Sequence, residues 1–336
     1  MRKKLLFALC SIIFSISISA ASTPSPTFKK IVFFGDSLSD NGNLYSHTNY
    51  AIPGLHYYQG RFTNGYTWAD DISHILYKKY DIVSENYAVG GATAVLQNPF
   101  AGSLPVTLPM EVADYNARYF LSDKSDTLYV IWIGANDYFP GQPNVEQATT
   151  DVISVITSTV QSLSENNNAQ FFIAGLPDLS LTPQATMRHL VENYKALTVL
   201  HNQKLHAAII ALKKQFPNTK ITEFSFIDHP ILEQMVHSPA FLAEMNQKYH
   251  MNITNVTDAC WGGGFFKSTG ESTKLSKMIA ESPALTEAYR VQQLPSDPTQ
   301  HCATPEQYIF WDEVHPTETM HKVIAEVFAE SLLNDA

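Results

Sequence analysis

Four short apolar runs constrain the fold of this chain more than any other feature. They occupy residues 31–34, 128–133, 171–174 and 221–227, and a glycine directly follows each of the first three. A strand with one solvated face alternates apolar and polar residues, whereas a strand covered on both faces is apolar throughout. The runs therefore predict a sheet buried between two layers.

Helical patterns lie between and after these runs. Apolar residues recur at spacings of three and four from Val152 to Leu163, over residues 185–214, and in a last helix from about Thr317 to Leu333. Strands that alternate with helices form right-handed βαβ units, which place the strands in parallel. The sequence thus predicts an α/β fold, a three-layer α/β/α sandwich with a mostly parallel sheet.

The N-terminus has the pattern of a secretory signal peptide over residues 1–21. Three cations at residues 2–4 precede an apolar core at residues 5–18 and a small-residue exit at residues 19–21. The apolar core is shorter than the roughly 20 residues that a membrane-spanning helix needs. We therefore expect export to the periplasm or the extracellular medium, which leaves residues 22–336 as a single domain.

The formal net charge of −10 limits the partners that this chain can bind through charge. Beyond the N-terminus the sequence has no cluster of lysine or arginine, and an acidic surface repels polyanions. Nucleic acid and anionic membrane surfaces are therefore poor candidates.

Only two cysteines, Cys260 and Cys302, follow the N-terminal leader. An even number of cysteines in an exported chain favours one disulfide, with two free buried thiols as the alternative. The bond would close an insertion over residues 260–302. Within it, the loop 261–301 has consecutive glycines at its start and apolar residues at helical spacing. We expect this loop to be either a lid over the site, which lipid or an activating protease displaces, or a solvent-exposed structural loop.

The sharpest local feature is FGDSLSDNGN at residues 34–43, at the end of the first predicted strand. Ser37 follows this strand and a glycine turn, and open α/β sheets bind their ligands at the carboxyl ends of strands. A serine hydroxyl becomes a nucleophile when a base accepts its proton and a carboxylate orients that base. Asp312 and His315, three positions apart just before the last predicted helix, are of the right types for both roles.

Acyl transfer also needs hydrogen-bond donors for the oxyanion that develops on the substrate. The backbone N–H of Ser37 is one candidate. A glycine turn within NYAVGGAT at residues 86–93 is a second, and the side-chain amide of Asn136, which follows another predicted strand, is a third.

Taken together and in this order, GDSLSDNGN, NYAVGGAT, GAND and DEVH resemble the four conserved blocks of the SGNH/GDSL esterase–lipase family. The resemblance extends from residue 31 to about residue 321 and implies the flavodoxin-like fold of SGNH hydrolases, with no metal or cofactor. It implies a catalytic triad of Ser37, Asp312 and His315, and an oxyanion hole formed by Ser37, Gly91 and Asn136, with Gly90 as the alternative to Gly91.

Further runs are similar to the secreted bacterial branch of lysophospholipases A and glycerophospholipid–cholesterol acyltransferases. These are GRFTNG at residues 60–65, the segment 310–317, and the cysteine-closed loop before the Asp/His block. The branch implies hydrolysis of fatty-acyl esters of lysophospholipids and related lipids, with a sterol as an additional acyl acceptor.

Three other functions are compatible with this sequence. A carbohydrate acetyl-esterase or short-chain arylesterase would need the same triad. A secreted binding protein with an inactive hydrolase fold would rely on aromatic clusters such as Tyr57-Tyr58. A metal hydrolase lacks its usual HExxH or HxH pattern here. It would have to hold its cation through Asp36, Asp40, Asp137 and His315.

Overall fold

The computed structural model describes residues 26–50, 52–96, 106–120, 123–165, 168–262 and 301–334. The predicted signal peptide and nearly all of the loop 261–301 lie outside these ranges, so export, the lid and its activating protease stay predictions. No helix in the described ranges is both long and apolar enough to cross a membrane.

A five-stranded parallel sheet forms the centre of the molecule. Across the sheet the strands follow the order β2-β1-β3-β4-β5, and all neighbouring pairs are parallel. The order reverses at β1, so a crevice forms where the carboxyl ends of β1 and β3 diverge into loops. In chain order the strands are β1 (Lys30–Gly35), β2 (Val83–Asn86), β3 (Thr127–Trp132), β4 (Gln170–Ala174) and β5 (Lys220–Phe224).

Two groups of helices cover the sheet, which confirms the predicted α/β/α architecture. Helices α2 and α10 pack together, and α5 packs against both α3 and α7. The longer helices are α2 (Trp68–Tyr80), α3 (Leu108–Arg118), α5 (Val145–Leu163), α7 (Val191–Gln215), α9 (Pro239–Lys248) and α10 (Glu318–Asn334). The short ones are α1 (Asn43–His47), α4 (Ala135–Tyr138), α6 (Pro183–Met187) and α8 (Ile231–His237).

Three differences between the predicted and observed elements have a clear local cause. Strand β2 has the sequence VSEN with Val83 and Ser84 exposed at the sheet edge, so it lacks the apolar run that marked the other strands. Strand β5 ends at Phe224 rather than at residue 227. The helix predicted over residues 185–214 is interrupted between α6 and α7, where His189 has a left-handed φ of 56° that no helix accommodates.

A second, two-stranded parallel sheet is formed by β6 (Asn255–Ala259) and β7 (Tyr308–Phe310). The Sγ atoms of Cys260 and Cys302, at its margin, lie 1.91 Å apart in the geometry of a disulfide. Strand β7 runs directly into the segment that contains Asp312 and His315. The paired strands thereby bring this C-terminal segment to the carboxyl edge of the main sheet.

Candidate active site

Ser37 is held on a tight turn at the carboxyl end of β1. A Cβ atom on Gly35 would lie 2.4 Å from the carbonyl oxygen of Trp132, so only glycine lets β1 and β3 approach this closely. The carbonyl oxygen of Asp36 accepts hydrogen bonds from the N–H groups of Ser39 and Asp40, which turns the chain immediately after the strand. The turn leaves Ser37 facing the crevice, with 8% of its surface exposed.

The structure brings Ser37, His315 and Asp312 into one hydrogen-bonded line. His315 Nε2 lies 2.7 Å from Ser37 Oγ, although the two residues are 278 positions apart in sequence. His315 Nδ1 lies 2.7 Å from Asp312 Oδ2 on the other side of the ring. Both Asp312 and His315 are buried. An imidazole in this arrangement donates to the carboxylate through Nδ1 and accepts the serine proton at Nε2.

Asp312 is kept as a carboxylate by its surroundings. Burial by itself raises the pKa of Asp312, but His315 and the hydrogen bonds from Val314 and Tyr57 outweigh burial and leave the pKa below its ordinary value. Asp312 Oδ1 accepts the backbone N–H groups of Val314 and His315, at 2.9 and 2.8 Å. These short local bonds explain why an Asp three positions before a His fits one tight loop.

The segment GRFTNG packs against this loop. The hydroxyl of Thr63 donates to the carbonyl oxygen of Pro316 over 2.8 Å, and the ring of Phe62 lies 5.2 Å from the His315 ring. The N–H of Trp311 donates to the carbonyl oxygen of His315 over 2.7 Å. These contacts hold the backbone around His315 and place one aromatic ring beside its imidazole.

Tyr57 also reaches this loop, which the sequence analysis did not anticipate. Its hydroxyl donates to Asp312 Oδ2 over 2.7 Å, and the side chain is buried. In the alternative of a binding protein, Tyr57 is part of an aromatic cluster for ligands; the structure buries it and engages its hydroxyl with Asp312 instead. The partners are 255 positions apart, so no spacing in the sequence signals the contact.

Asn136 and the glycine turn of residues 86–93 meet beside Ser37. The side-chain amide of Asn136 donates one proton to the carbonyl oxygen of Ala92 over 2.9 Å, which leaves its second N–H for another acceptor. The N–H of Gly90 is already engaged by Asp40 Oδ2 at 2.7 Å. Within the described part of the chain the N–H groups of Ser37 and Gly91 have no hydrogen-bond partner. This geometry favours Gly91 over Gly90 as an oxyanion donor.

Buried carboxylates hold the three loops in place. Asp40 accepts the N–H groups of Gly42 and Asn43 on one oxygen, and those of Leu44 and Gly90 on the other. Asp137 accepts the N–H groups of Ala94 and Val95, at 2.8 and 3.0 Å. Glu111 joins the end of β1 to the glycine turn, because it accepts the N–H groups of both Gly35 and Val89.

These contacts give the acidic residues near Ser37 a structural role. Asp40 and Asp137 are directed at backbone N–H groups, and the described residues contain no group of three or more ligating side chains arranged to hold a metal ion. Burial raises the pKa of Asp36 to about 7, although the N–H of Leu38 and the proximity of His315 oppose the shift.

An apolar pocket opens beside Ser37 and His315 and continues beneath α10. The empty space along its walls amounts to about 950 Å³, which includes space open to solvent. Its walls come from the carboxyl ends of β3 and β5 and from α8 and α10. Most lining side chains are apolar, including Trp132, Phe224, Phe226, Leu232, Val327 and Phe328. Such a pocket suits an extended apolar group attached to a reactive carbonyl.

Comparison with known proteins identifies a family for most of the chain. The family model described as GDSL-like lipase/acylhydrolase matches residues 31–328, which include Ser37, Asn136 and His315.

Three relatives show how the similarity is distributed along the chain. A phosphatidylcholine-sterol acyltransferase of Aeromonas hydrophila is 31% identical over 93% of this chain and 92% of its own length. A thermolabile hemolysin of Vibrio parahaemolyticus is 24% identical over 95% of this chain and 67% of its own length. The secreted effector protein SseJ of Salmonella typhimurium is 31% identical over 59% of this chain, and the match covers 47% of that effector.

The family match spans nearly all of the chain that follows the predicted leader, and the resemblance of the four sequence blocks is thereby confirmed. The chain belongs to the GDSL-like lipase/acylhydrolase family.

Proposed function

We propose that this protein is a serine esterase that hydrolyses the fatty-acyl esters of lysophospholipids and related single-chain lipids. One observation carries the proposal: the apolar pocket begins at the Ser37–His315 pair and continues beneath α10. An acyl chain in this pocket leaves its ester carbonyl beside the serine hydroxyl. The similarity to a phosphatidylcholine-sterol acyltransferase supports a phospholipid-type substrate.

In the first half of the proposed reaction, Ser37 Oγ attacks the acyl carbonyl carbon while His315 Nε2 accepts the hydroxyl proton. Asp312 holds the ring in the tautomer with a proton on Nδ1 and stabilises the imidazolium that forms. The carbonyl π electrons move to oxygen, and the N–H groups of Ser37, Gly91 and Asn136 stabilise this oxyanion. The bond to the glycerol oxygen then breaks, and His315 returns its proton to that oxygen.

In the second half, water attacks the acyl-serine. His315 accepts a proton from the water, the tetrahedral intermediate collapses, and the C–O bond to Ser37 breaks as His315 protonates Oγ. Fatty acid leaves and the serine is regenerated. A sterol hydroxyl in place of water would give a sterol ester by the same steps, which is the acyl-transfer outcome of this proposal.

We also propose that the protein acts outside the cytoplasm. The support is the leader-like sequence of residues 1–21, the disulfide geometry of Cys260 and Cys302, and the similarity to a protein described as a secreted effector. The acidic net charge favours dispersed or micellar zwitterionic lipids over anionic membrane surfaces.

The proposal is tested by comparing the release of acid from three esters: lysophosphatidylcholine, a diacyl phosphatidylcholine and an acetylated sugar. We expect the highest kcat/KM with lysophosphatidylcholine, unchanged by a chelator. Ser37→Ala should abolish turnover. Ser39→Ala is the matched control, because Ser39 lies two positions further along the same turn and has no side-chain hydrogen bond in the described residues.

Two outcomes would contradict the proposal. Wild-type turnover in the Ser37→Ala protein would refute the serine mechanism. A preference for the acetylated sugar would instead support the carbohydrate acetyl-esterase alternative, which uses the same triad without needing the apolar pocket.

A further inference from the structure

We propose that Tyr57 is a positioning residue for the reaction: its hydroxyl holds the Asp312 carboxylate ionised and aligned with His315. This inference rests on the proposed function, because it assigns Tyr57 a role through the same Asp312–His315 pair. Tyr57 belongs to none of the four sequence blocks and comes from a different part of the chain.

The contacts of Asp312 show that Tyr57 is the donor in the hydrogen bond between the two side chains. Asp312 Oδ1 accepts two backbone N–H groups of its own loop, and Oδ2 accepts His315 Nδ1 at 2.7 Å. Tyr57 Oη lies 2.7 Å from this same Oδ2. Burial and the neighbouring Asp312 raise the pKa of Tyr57 well above its ordinary value. The phenol therefore keeps its proton and can only donate.

Packing fixes the Tyr57 ring in the orientation that this bond requires. The ring lies edge-on to Trp311, with centroids 6.3 Å apart, and 6.0 Å from the ring of Phe62. Phe62 in turn contacts His315. The packed aromatic rings thus hold the Tyr57 hydroxyl beside Asp312, so the Tyr57 side chain loses little conformational freedom when it forms this bond.

The shared oxygen has a chemical consequence. A carboxylate that accepts a strong hydrogen bond from a phenol is stabilised as an anion and attracts the imidazolium proton less strongly. Tyr57 would therefore both prevent protonation of Asp312 and limit how tightly Asp312 holds the Nδ1 proton. Without the hydroxyl, Asp312 should hold the imidazolium proton more tightly. The acidic limb of the pH profile of kcat/KM should therefore move toward higher pH.

Other titratable groups surround Tyr57 and Asp312. Of these, within the described structure, only His315 donates to Oδ2 of Asp312. The surrounding titratable groups are Glu313 and His315 on the loop of Asp312, Asp36 after β1, Arg188 after α6 and His321 on α10. Tyr57→Phe therefore removes a hydrogen bond to Asp312 without altering the formal charge around it.

The test compares Tyr57→Phe with Tyr58→Phe, because the adjacent Tyr58 ring packs on Tyr66 and does not contact Asp312. The profile of kcat/KM from pH 5 to 9 is measured with a soluble short-chain ester. We expect the Tyr57→Phe acidic limb to move up by about half a pH unit or more, and kcat to fall about 3- to 30-fold with KM nearly unchanged. Tyr58→Phe should match the wild type.

A second measurement separates positioning from packing. The same pair of tyrosine variants is made in an Asp312→Asn background, where we expect Tyr57→Phe to have almost no further effect on residual activity. The proton NMR signal of His315 Nδ1–H provides a readout independent of turnover and should move in Tyr57→Phe but not in Tyr58→Phe.

The outcomes distinguish this inference from the proposed function. An unchanged pH profile and an unchanged NMR signal in Tyr57→Phe would overturn the positioning role, as would a loss of activity that persists equally in the Asp312→Asn background. If the wild type hydrolyses no ester, the proposed function fails. The NMR comparison would then still decide whether Tyr57 controls the Asp312–His315 bond.

Discussion

The backbone N–H of Gly90 donates a hydrogen bond to Asp40 Oδ2 over 2.7 Å, which ties the glycine turn to the loop that carries Ser37. Asp40 lies three positions after Ser37 and is completely buried. Burial raises its pKa, and the four N–H groups that it accepts oppose this shift. Asp40 therefore acts with Glu111 to fix the glycine turn relative to the loop that carries Ser37.

From this relationship we expect Asp40→Asn to lose both activity and stability. An asparagine has one acceptor oxygen where Asp40 uses two, so at least one buried N–H loses its partner, which costs about 1–3 kcal/mol of unfolding free energy. Denaturant unfolding and kcat are measured together. Asp123→Asn is the control, because Asp123 accepts the N–H of Ser125 on the surface. Equal effects of the two substitutions would contradict the role of Asp40.

Asn136→Ala should lower kcat much more than it changes KM. The amide N–H is expected to bind the oxyanion of the transition state rather than the ground-state carbonyl, and loss of one such donor costs about 100- to 1,000-fold in kcat. Asn144→Ala is the matched control, because exposed Asn144 only caps α5 through the N–H of Gln147. A rise in KM at constant kcat would place Asn136 in ground-state binding instead.

Leu232→Trp should change the acyl-chain preference. Leu232 lines the apolar pocket from α8, apart from the loops that carry the proposed triad, so a larger ring there would shorten the pocket without altering the chemistry. We expect kcat/KM for a hexadecanoyl ester to fall at least about tenfold, and that for a butyryl ester to stay nearly constant. Leu55→Trp, at a position that is 76% exposed, should change neither. A parallel loss for both esters would argue against an acyl pocket.

The buried His201 makes part of the folding stability depend on pH. Burial lowers its pKa from 6.5 to about 3, so the folded state keeps the ring neutral while the unfolded chain takes up a proton below pH 6.5. The stability from the neutral ring is complete above pH 6.5 and is lost as the pH falls toward 3, because the unfolded state then binds more protons.

His201→Gln removes this titration. We expect the stability advantage of the wild type over His201→Gln to shrink by about 1.4 kcal/mol per pH unit between pH 6 and 4. Urea unfolding at several pH values measures the difference. Gln203→Ala, at an exposed and uncharged position on the same helix, should show no comparable slope. A constant wild-type advantage across this range would show that His201 is not held neutral.

Much of the fold followed from local patterns. Strands β1, β3 and β4 were predictable because each is a continuous apolar run buried on both faces. Helices α5 and α10 followed from their apolar spacing. Edge strand β2 was not predictable, because its exposed residues carry no apolar pattern. The break between α6 and α7 was missed because the left-handed conformation of His189 interrupts an otherwise regular helical pattern.

The sequence by itself determined which residue types are available for chemistry: a serine after a strand, an Asp and a His in one short loop, a glycine turn and an asparagine. These features are local, so short-range backbone geometry is enough to recognise them. Only the tertiary structure decided which groups meet. It brought Ser37 to His315, engaged the N–H of Gly90 with Asp40, and placed Tyr57 on Asp312. Contacts between residues hundreds of positions apart depend on how every intervening element packs, and no local pattern encodes that packing.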